Sequence, residues 1–209
     1  MIFKREFARK MEKDLRDGRS TLLLGPRQTG KTTLIRAVGG KFPVRLEYDL
    51  RLPSVRLKLE NDPETILREV KAFAPRKKPL VFIDEIQKAP ALMDVLQYLL
   101  DNKMITLAAS GSSARKLRRG RINWLPGRIK AEHLYPLTWD EMGLAGGSGA
   151  APEKVDDCLL FGGLPGIRSS DNRKNHKEDL AAYTALYLEE EIRQEAAVRR
   201  LPAFSRFLQ

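Results

Sequence analysis

A chain of 209 residues is long enough for one full domain with a buried core plus a smaller appendage. Its 42% hydrophobic and 31% charged residues exclude a disordered chain, and no apolar run reaches the roughly 20 residues that span a bilayer. The lone Cys158 rules out an internal disulfide framework, two histidines make a zinc site improbable, and a net charge of +11 directs attention to anionic partners.

Met1 to Phe7 carries charge but lacks the apolar segment of a secretion signal, so the cytoplasm is the expected compartment. Thr21-Leu22-Leu23-Leu24 then reads as a short buried strand. It runs into Gly25-Pro26-Arg27-Gln28-Thr29-Gly30-Lys31-Thr32, which fits the G-x-x-x-x-G-K-[ST] pattern of a phosphate-binding loop. Glycines let the backbone curl until consecutive N–H groups converge on a polyphosphate. The Lys31 ammonium can reach β- and γ-phosphates, and the Thr32 hydroxyl can ligate Mg²⁺. Thr33 to Val38 begins a helix whose positive N-terminal end adds to the anion site. Strand, loop and helix fall in the order the chemistry needs, which implies a bound nucleoside triphosphate.

Val44 to Asp49 alternates as an edge strand, and Pro63 to Val70 starts a helix with proline in its first turn. Arg76-Lys77-Lys78 is the first of two basic clusters. Leu80-Val81-Phe82-Ile83 suits a central parallel strand buried on both faces, and it ends in Asp84-Glu85 at the edge where open α/β sheets place ligands. Asp84 is placed to hold Mg²⁺ beside Thr32, and Glu85 to polarise the water that attacks the γ-phosphate. A helix N-cap is the plainer use of either acid alone. In the next helix Leu92, Val95, Leu96, Leu99 and Leu100 fall at helical spacing as a packing stripe.

Ile105 to Ala109 reads as another buried strand ending at Ser110-Gly111-Ser112-Ser113. Ser110, or alternatively Ser112, is placed to sense the γ-phosphate; capping of a following helix is the competing use. Arg115 to Arg121 is the second basic cluster, either a solvated surface or a nucleic-acid footprint. Arg128 to Leu134 reads as a last strand. The expected organisation is a nucleotide-binding core over 1–142, a Gly-rich linker over 143–154 and a mostly helical region over 155–209. That region includes a charged helix from Tyr183 to Arg200 with Leu186, Tyr187 and Ile192 on its apolar face. Alternating strands and helices imply a parallel α/β sheet covered on both faces.

These segments, together with Tyr48-Asp49-Leu50, Ile83-Asp84-Glu85-Ile86-Gln87-Lys88, Pro126-Gly127-Arg128, Pro136-Leu137-Thr138 with Glu141, and Gly162-Gly163-Leu164-Pro165, resemble the bacterial and archaeal AAA+ ATPases that carry the AAA_14 core and usually a DUF4143 C-terminal domain. The resemblance implies a P-loop NTPase three-layer sandwich, its parallel sheet in order 5-1-4-3-2, followed by a small helical lid. It implies Mg²⁺-dependent ATP hydrolysis coupled to conformational change, with Gly25 to Thr33 around the nucleotide and Lys31, Glu85, Ser110 and Arg128 catalytic. Arg128 matches the arginine of the family's Gly-Arg pair and would act on its own site or, in a homo-oligomer, on a neighbour's; Arg118 and Arg119 compete for that part. Proteins of this type continue beyond the point where this chain ends, so most of the C-terminal domain is expected to be missing. The absence of a guanine-reading Asn-Lys-x-Asp segment favours ATP over GTP. A nucleotide-gated switch with slow hydrolysis, associated with DNA through the basic clusters, is the alternative. A kinase using the same loop is less favoured, because Glu85 suits water better than an organic hydroxyl.

Overall fold

The computed structural model describes residues 3–73, 78–111, 127–144, 152–170 and 172–187. Contacts divide the chain into Lys4–Tyr135 and a second unit of Pro136–Gln209 with Met1–Phe3. The first unit opens with helix α1 (Phe7–Arg16) and strand β1 (Ser20–Leu24), followed by α2 (Lys31–Gly39) and β2 (Arg45–Asp49). Helices α3 (Pro53–Asn61) and α4 (Thr65–Ala72) lead to β3 (Leu80–Asp84) and a 3₁₀ turn (Ile86–Lys88). The unit closes with α5 (Leu92–Asp101), β4 (Thr106–Gly111) and β5 (Ile129–His133).

The five strands form one sheet in the order β2-β3-β4-β1-β5, all pairs parallel. This is the expected 5-1-4-3-2 order read from the other edge. Every residue of β1, β3 and β4 is buried, as unbroken apolar runs in a parallel sheet require. Period-two alternation divides their side chains between two layers. Leu22, Leu24, Val81, Ile83, Leu107 and Ala109 face the layer of α3, α4 and α5. Leu23, Leu80, Phe82 and Ala108 face α1 and α2 through Met11, Leu15, Leu34, Ile35 and Val38. The α5 stripe falls where its spacing predicts: Leu92, Leu96 and Leu99 are fully buried, with Val95 and Leu100 packed beside them. Each full burial of a leucine stabilises by about 1.5–3 kcal/mol. Helix α3, started by Pro53 at its first turn, has no counterpart among the predicted elements. Only Leu59 is buried on it, which explains its faint sequence signal.

The second unit is helical: α6 (Pro152–Phe161), the short α7 (Pro165–Arg168) and α8 (Arg173–Tyr187). Phe161, Leu164 and Ile167 form its core, with Leu180 and Tyr183 against them. The Leu137 N–H donates to Gly163 O at 2.7 Å, and a Cβ on Gly163 would come within 2.6 Å of Leu137 O. Leu137 therefore packs with this unit, ahead of the linker expected over 143–154. Helix α8 starts ten residues before the predicted Tyr183, and the rest of the predicted helix lies outside the described residues.

Candidate functional site

Parallel strands deliver their C-terminal ends to one edge, so Leu24 of β1 and Asp84 of β3 arrive on the same side of the sheet. From Leu24 the chain enters the Gly25–Thr32 loop. Gly25 has φ +149°, and a Cβ there would lie 2.2 Å from Leu134 O. The Leu134 N–H donates to Leu24 O at 2.7 Å, so the loop leaves β1 flush against the exit of β5. Gln28 and Gly30 also have positive φ, 61° and 87°. Only the first is a side-chain-bearing residue, and it holds a conformation that costs on the order of 1 kcal/mol.

The curl is held by side chains from three directions. The Thr29 hydroxyl, fully buried, donates to Pro26 O at 2.9 Å. The Lys31 ammonium donates to Gly25 O at 2.8 Å and Pro26 O at 2.7 Å, which keeps it over the loop. The buried Arg5 guanidinium reaches Thr29 O at 2.9 Å and Tyr135 O at 2.6 Å. Arg27 and Gln28 are exposed at the crest, and Thr33 is exposed on the first turn of α2. Gly30 caps α2 without a side-chain hydrogen bond, so the first-turn N–H groups of Lys31, Thr32 and Thr33 keep the donor capacity that helix N-termini offer to anions.

Opposite the loop stands Asp84, with no exposed surface. A carboxylate taken wholly out of water needs compensating donors. It has them: Thr32 Oγ1 lies 3.0 and 2.9 Å from its two oxygens, the Ser110 hydroxyl donates to Oδ1, and Arg51 Nε lies 3.1 Å from Oδ2. A hydroxyl and a carboxylate side by side form a hard oxygen pair, the donor chemistry that suits Mg²⁺. Glu85 turns the chain off β3 with φ 57° and ψ 49°. Its N–H donates to Ser110 Oγ at 3.0 Å, and its carboxylate accepts from Gln87 Nε2.

Ser110, expected as a sensor at a strand tip, stands one residue before the end of β4. It lies inside β4, is fully buried, and uses its hydroxyl to clamp Asp84 and the Glu85 backbone. Arg128 is not brought to this edge at all. Ile129 pairs with Ser20, the first residue of β1, whereas His133 pairs with Leu24. Six residue steps, roughly 20 Å at 3.3 Å per residue, separate Arg128 from the start of the loop. Its guanidinium pairs with Asp101 at the end of α5. Ser112, Arg118, Arg119 and the remainder of the 115–121 basic cluster lie outside the described residues, as do Arg76 and Lys77.

Two arginines enter the site that the sequence reading passed over. Arg5 carries no local signal, because its two carbonyl partners are far along the chain. Arg51 had one: it follows Asp49 by two residues at the same sheet edge as Asp84. Its Nε and Nη2 grip Asp49 at 2.8 and 2.6 Å. Those hydrogen bonds hold the Asp49 carboxyl below the usual carboxylate range and push the Arg51 guanidinium up.

The sequence pattern of the AAA_14 family, an AAA domain, matches residues 17–143. The proteins Rv2008c of Mycobacterium tuberculosis and Mb2031c of Mycobacterium bovis are each 30% identical over 205 residues. That match takes in 97% of this chain but 42% of each relative, so the chain spans less than half their length. Among solved structures, the Walker-type ATPase PABY2304 of Pyrococcus abyssi superposes with a TM-score of 0.63 at 19% identity, over 94% of this chain and 77% of the other. The ORC1 protein of Aeropyrum pernix, solved in complex with DNA, gives 0.54 at 17% identity, over 93% and 69%. These two likenesses concern the fold. No described helix is long and apolar enough to cross a membrane.

Proposed function

The chain belongs to the AAA_14 family of AAA domains, and from that premise we propose that it binds ATP together with Mg²⁺ and hydrolyses it, passing the nucleotide state on as conformational change. The observation that carries this reading is the meeting of Thr32, at an uncapped helix start, with the buried Asp84 carboxylate at 2.9 Å, one residue before Glu85. Gly25, Pro26, Arg27, Gln28, Thr29 and Gly30 would surround the phosphates, with the N–H groups of Lys31, Thr32 and Thr33 at the helix end. Lys31, already over the loop, would turn its ammonium from backbone carbonyls to phosphate oxygens. Thr32 and Asp84 would hold the metal, which supplies charge neutralisation at the β- and γ-phosphates. Glu85 would accept a proton from water as the water oxygen bonds to the γ-phosphorus. The bond to the β–γ bridging oxygen breaks, leaving ADP and inorganic phosphate. A positioned base of this kind contributes about 10²–10⁴-fold in rate. Ser110 would hold the acids in register. Arg128 would act on a neighbouring copy, which places its contribution in an oligomer.

The test is ATP binding and turnover by the full chain, with and without a panel of DNA and RNA. Lys31→Ala should weaken ATP binding by more than tenfold. Glu85→Gln should bind ATP normally while turnover falls about 100-fold or more. A Lys31→Ala protein that bound and hydrolysed ATP at the parent rate would sink the proposal. The net charge of +11 favours a second reading, a nucleotide-gated module that associates with DNA and turns over slowly. Weak turnover that leaves DNA affinity dependent on ATP would select it.

A further inference from the structure

Asp49 and Asp84 are the last residues of β2 and β3 and are partners in register. Two carboxylates end neighbouring parallel strands, where like charges repel and one of them has no solvent to relieve it. Arg51 resolves the conflict. Its N–H donates to Asp49 Oδ1 at 3.0 Å, which folds the turn so that the guanidinium lies across both acids. Nε is 2.8 Å from Asp49 Oδ1 and 3.1 Å from Asp84 Oδ2, and Nη2 is 2.6 Å from Asp49 Oδ2. Glu85 adds to the field that favours the cation. Asp49 is further paired with Arg36 at 3.4 Å, so it does not depend on Arg51 alone for charge balance. Among the described contacts of Asp84, Arg51 is the cation.

We propose that Arg51 is a positioning residue that competes with a divalent cation for Asp84, so that the metal enters this site only in company with nucleotide phosphates. The inference rests on the nucleotide reading of the site above. Its physical basis is charge. A bare divalent ion approaching Thr32 and Asp84 meets the Arg51 guanidinium 3.1 Å from the carboxylate it needs. The Lys31 ammonium stands over the adjoining loop. Polyphosphate reverses the balance, because its oxygens neutralise Lys31 and supply the metal with further ligands. Arg51 can then withdraw toward Asp49, which already holds it by two hydrogen bonds. The fork of arginine suits this double duty: Nε and Nη2 together grip Asp49 while Nε also lies 3.1 Å from Asp84, an arrangement that a lysine point charge reproduces only in part.

The experiment uses the full chain and Mn²⁺ alone, with free metal followed by its electron paramagnetic resonance signal, then ATP in excess chelator. Groups that address a metal's ligands from outside commonly change its affinity by about 10–100-fold. Arg51→Ala and Arg51→Gln should therefore bind Mn²⁺ about tenfold more tightly than the parent. Arg51→Lys should fall between them and the parent, and ATP affinity in chelator should stay within twofold throughout. A purely structural arginine would weaken every affinity when removed, so tighter metal binding has the opposite sign to damage. Mn²⁺ affinity of Arg51→Ala and Arg51→Gln that is unchanged within twofold, or weaker, would overturn the inference. Should the parent fail to bind ATP with or without metal, the nucleotide reading falls instead, while the metal titration still decides what Arg51 does to Asp84.

Discussion

Replacing Gly25 with alanine puts a methyl carbon 2.2 Å from the carbonyl oxygen of Leu134 and 3.2 Å from its carbon. The obstacle is backbone, so no rotamer change relieves it. Ordinary contact lies beyond 3.4 Å, so β5 and the loop must part by about 1 Å. That separation breaks or strains the 2.7 Å bond from Leu134 N to Leu24 O, worth about 1 kcal/mol. The φ of +149° adds a conformational cost of about 1–3 kcal/mol for a residue with a side chain. The expected loss is therefore about 2–4 kcal/mol, or roughly 4–16 °C in melting temperature for a chain of this size. Gly18→Ala is the matched control: φ +74°, with Lys78 Nζ at 3.7 Å as its nearest neighbour. Both substitutions restrict the unfolded chain alike, so their difference reports the clash together with the difference between the two positive-φ costs. Calorimetry with parallel denaturant melts gives the stabilities, and a fluorescent ATP analogue gives the affinity. Gly25→Ala no less stable than Gly18→Ala would refute the claim that β5 shapes the loop.

Removing the Arg5 guanidinium takes one donor from each of Thr29 O and Tyr135 O. Arg5→Ala should cost about 2–3 kcal/mol in denaturant unfolding. ATP affinity should fall with it, and Arg5→Lys, which can serve one carbonyl at a time, should be intermediate. Arg128→Ala should leave turnover within twofold wherever light scattering finds a monomer, because Arg128 immediately precedes β5 at the edge of the sheet opposite the loop. Its half-exposed pair with Asp101 contributes less than about 1 kcal/mol to stability. A tenfold loss of turnover in the monomer would contradict that placement.

The parts legible in the sequence are those whose physics is local. Leu80 to Ile83 is apolar throughout because β3 is covered on both faces, and the run stops at Asp84 because the strand stops there. The loop's glycines and the α5 leucine stripe announce themselves in the same way. What the sequence obscured depends on partners far along the chain. The Ser110 hydroxyl has identical chemistry whether it meets a phosphate or Asp84, and only the parallel register of β3 and β4 decides between them. For Arg128 the motif names the residue but not the edge of the sheet it stands at. A residue at the N-terminal end of a parallel strand stands at the edge opposite the one where β1 releases the loop. Helix α3 escaped because a helix resting on one buried leucine has almost no amphipathic pattern.

The strand that carries the loop sits between β4 and β5, the last two strands of its unit to be synthesised. During translation the segment from Gly25 to Thr32 therefore leaves the ribosome long before the residues that shape it. Leu134 must arrive to seat Gly25, and Tyr135 must arrive before Arg5 can complete its clasp. Over that interval the chain possesses the letters of a phosphate loop without its form. On the reading proposed above, a nucleotide would meet its finished site only after β5 has docked. Ligand stabilisation acts only on the finished sheet, when β5 docks.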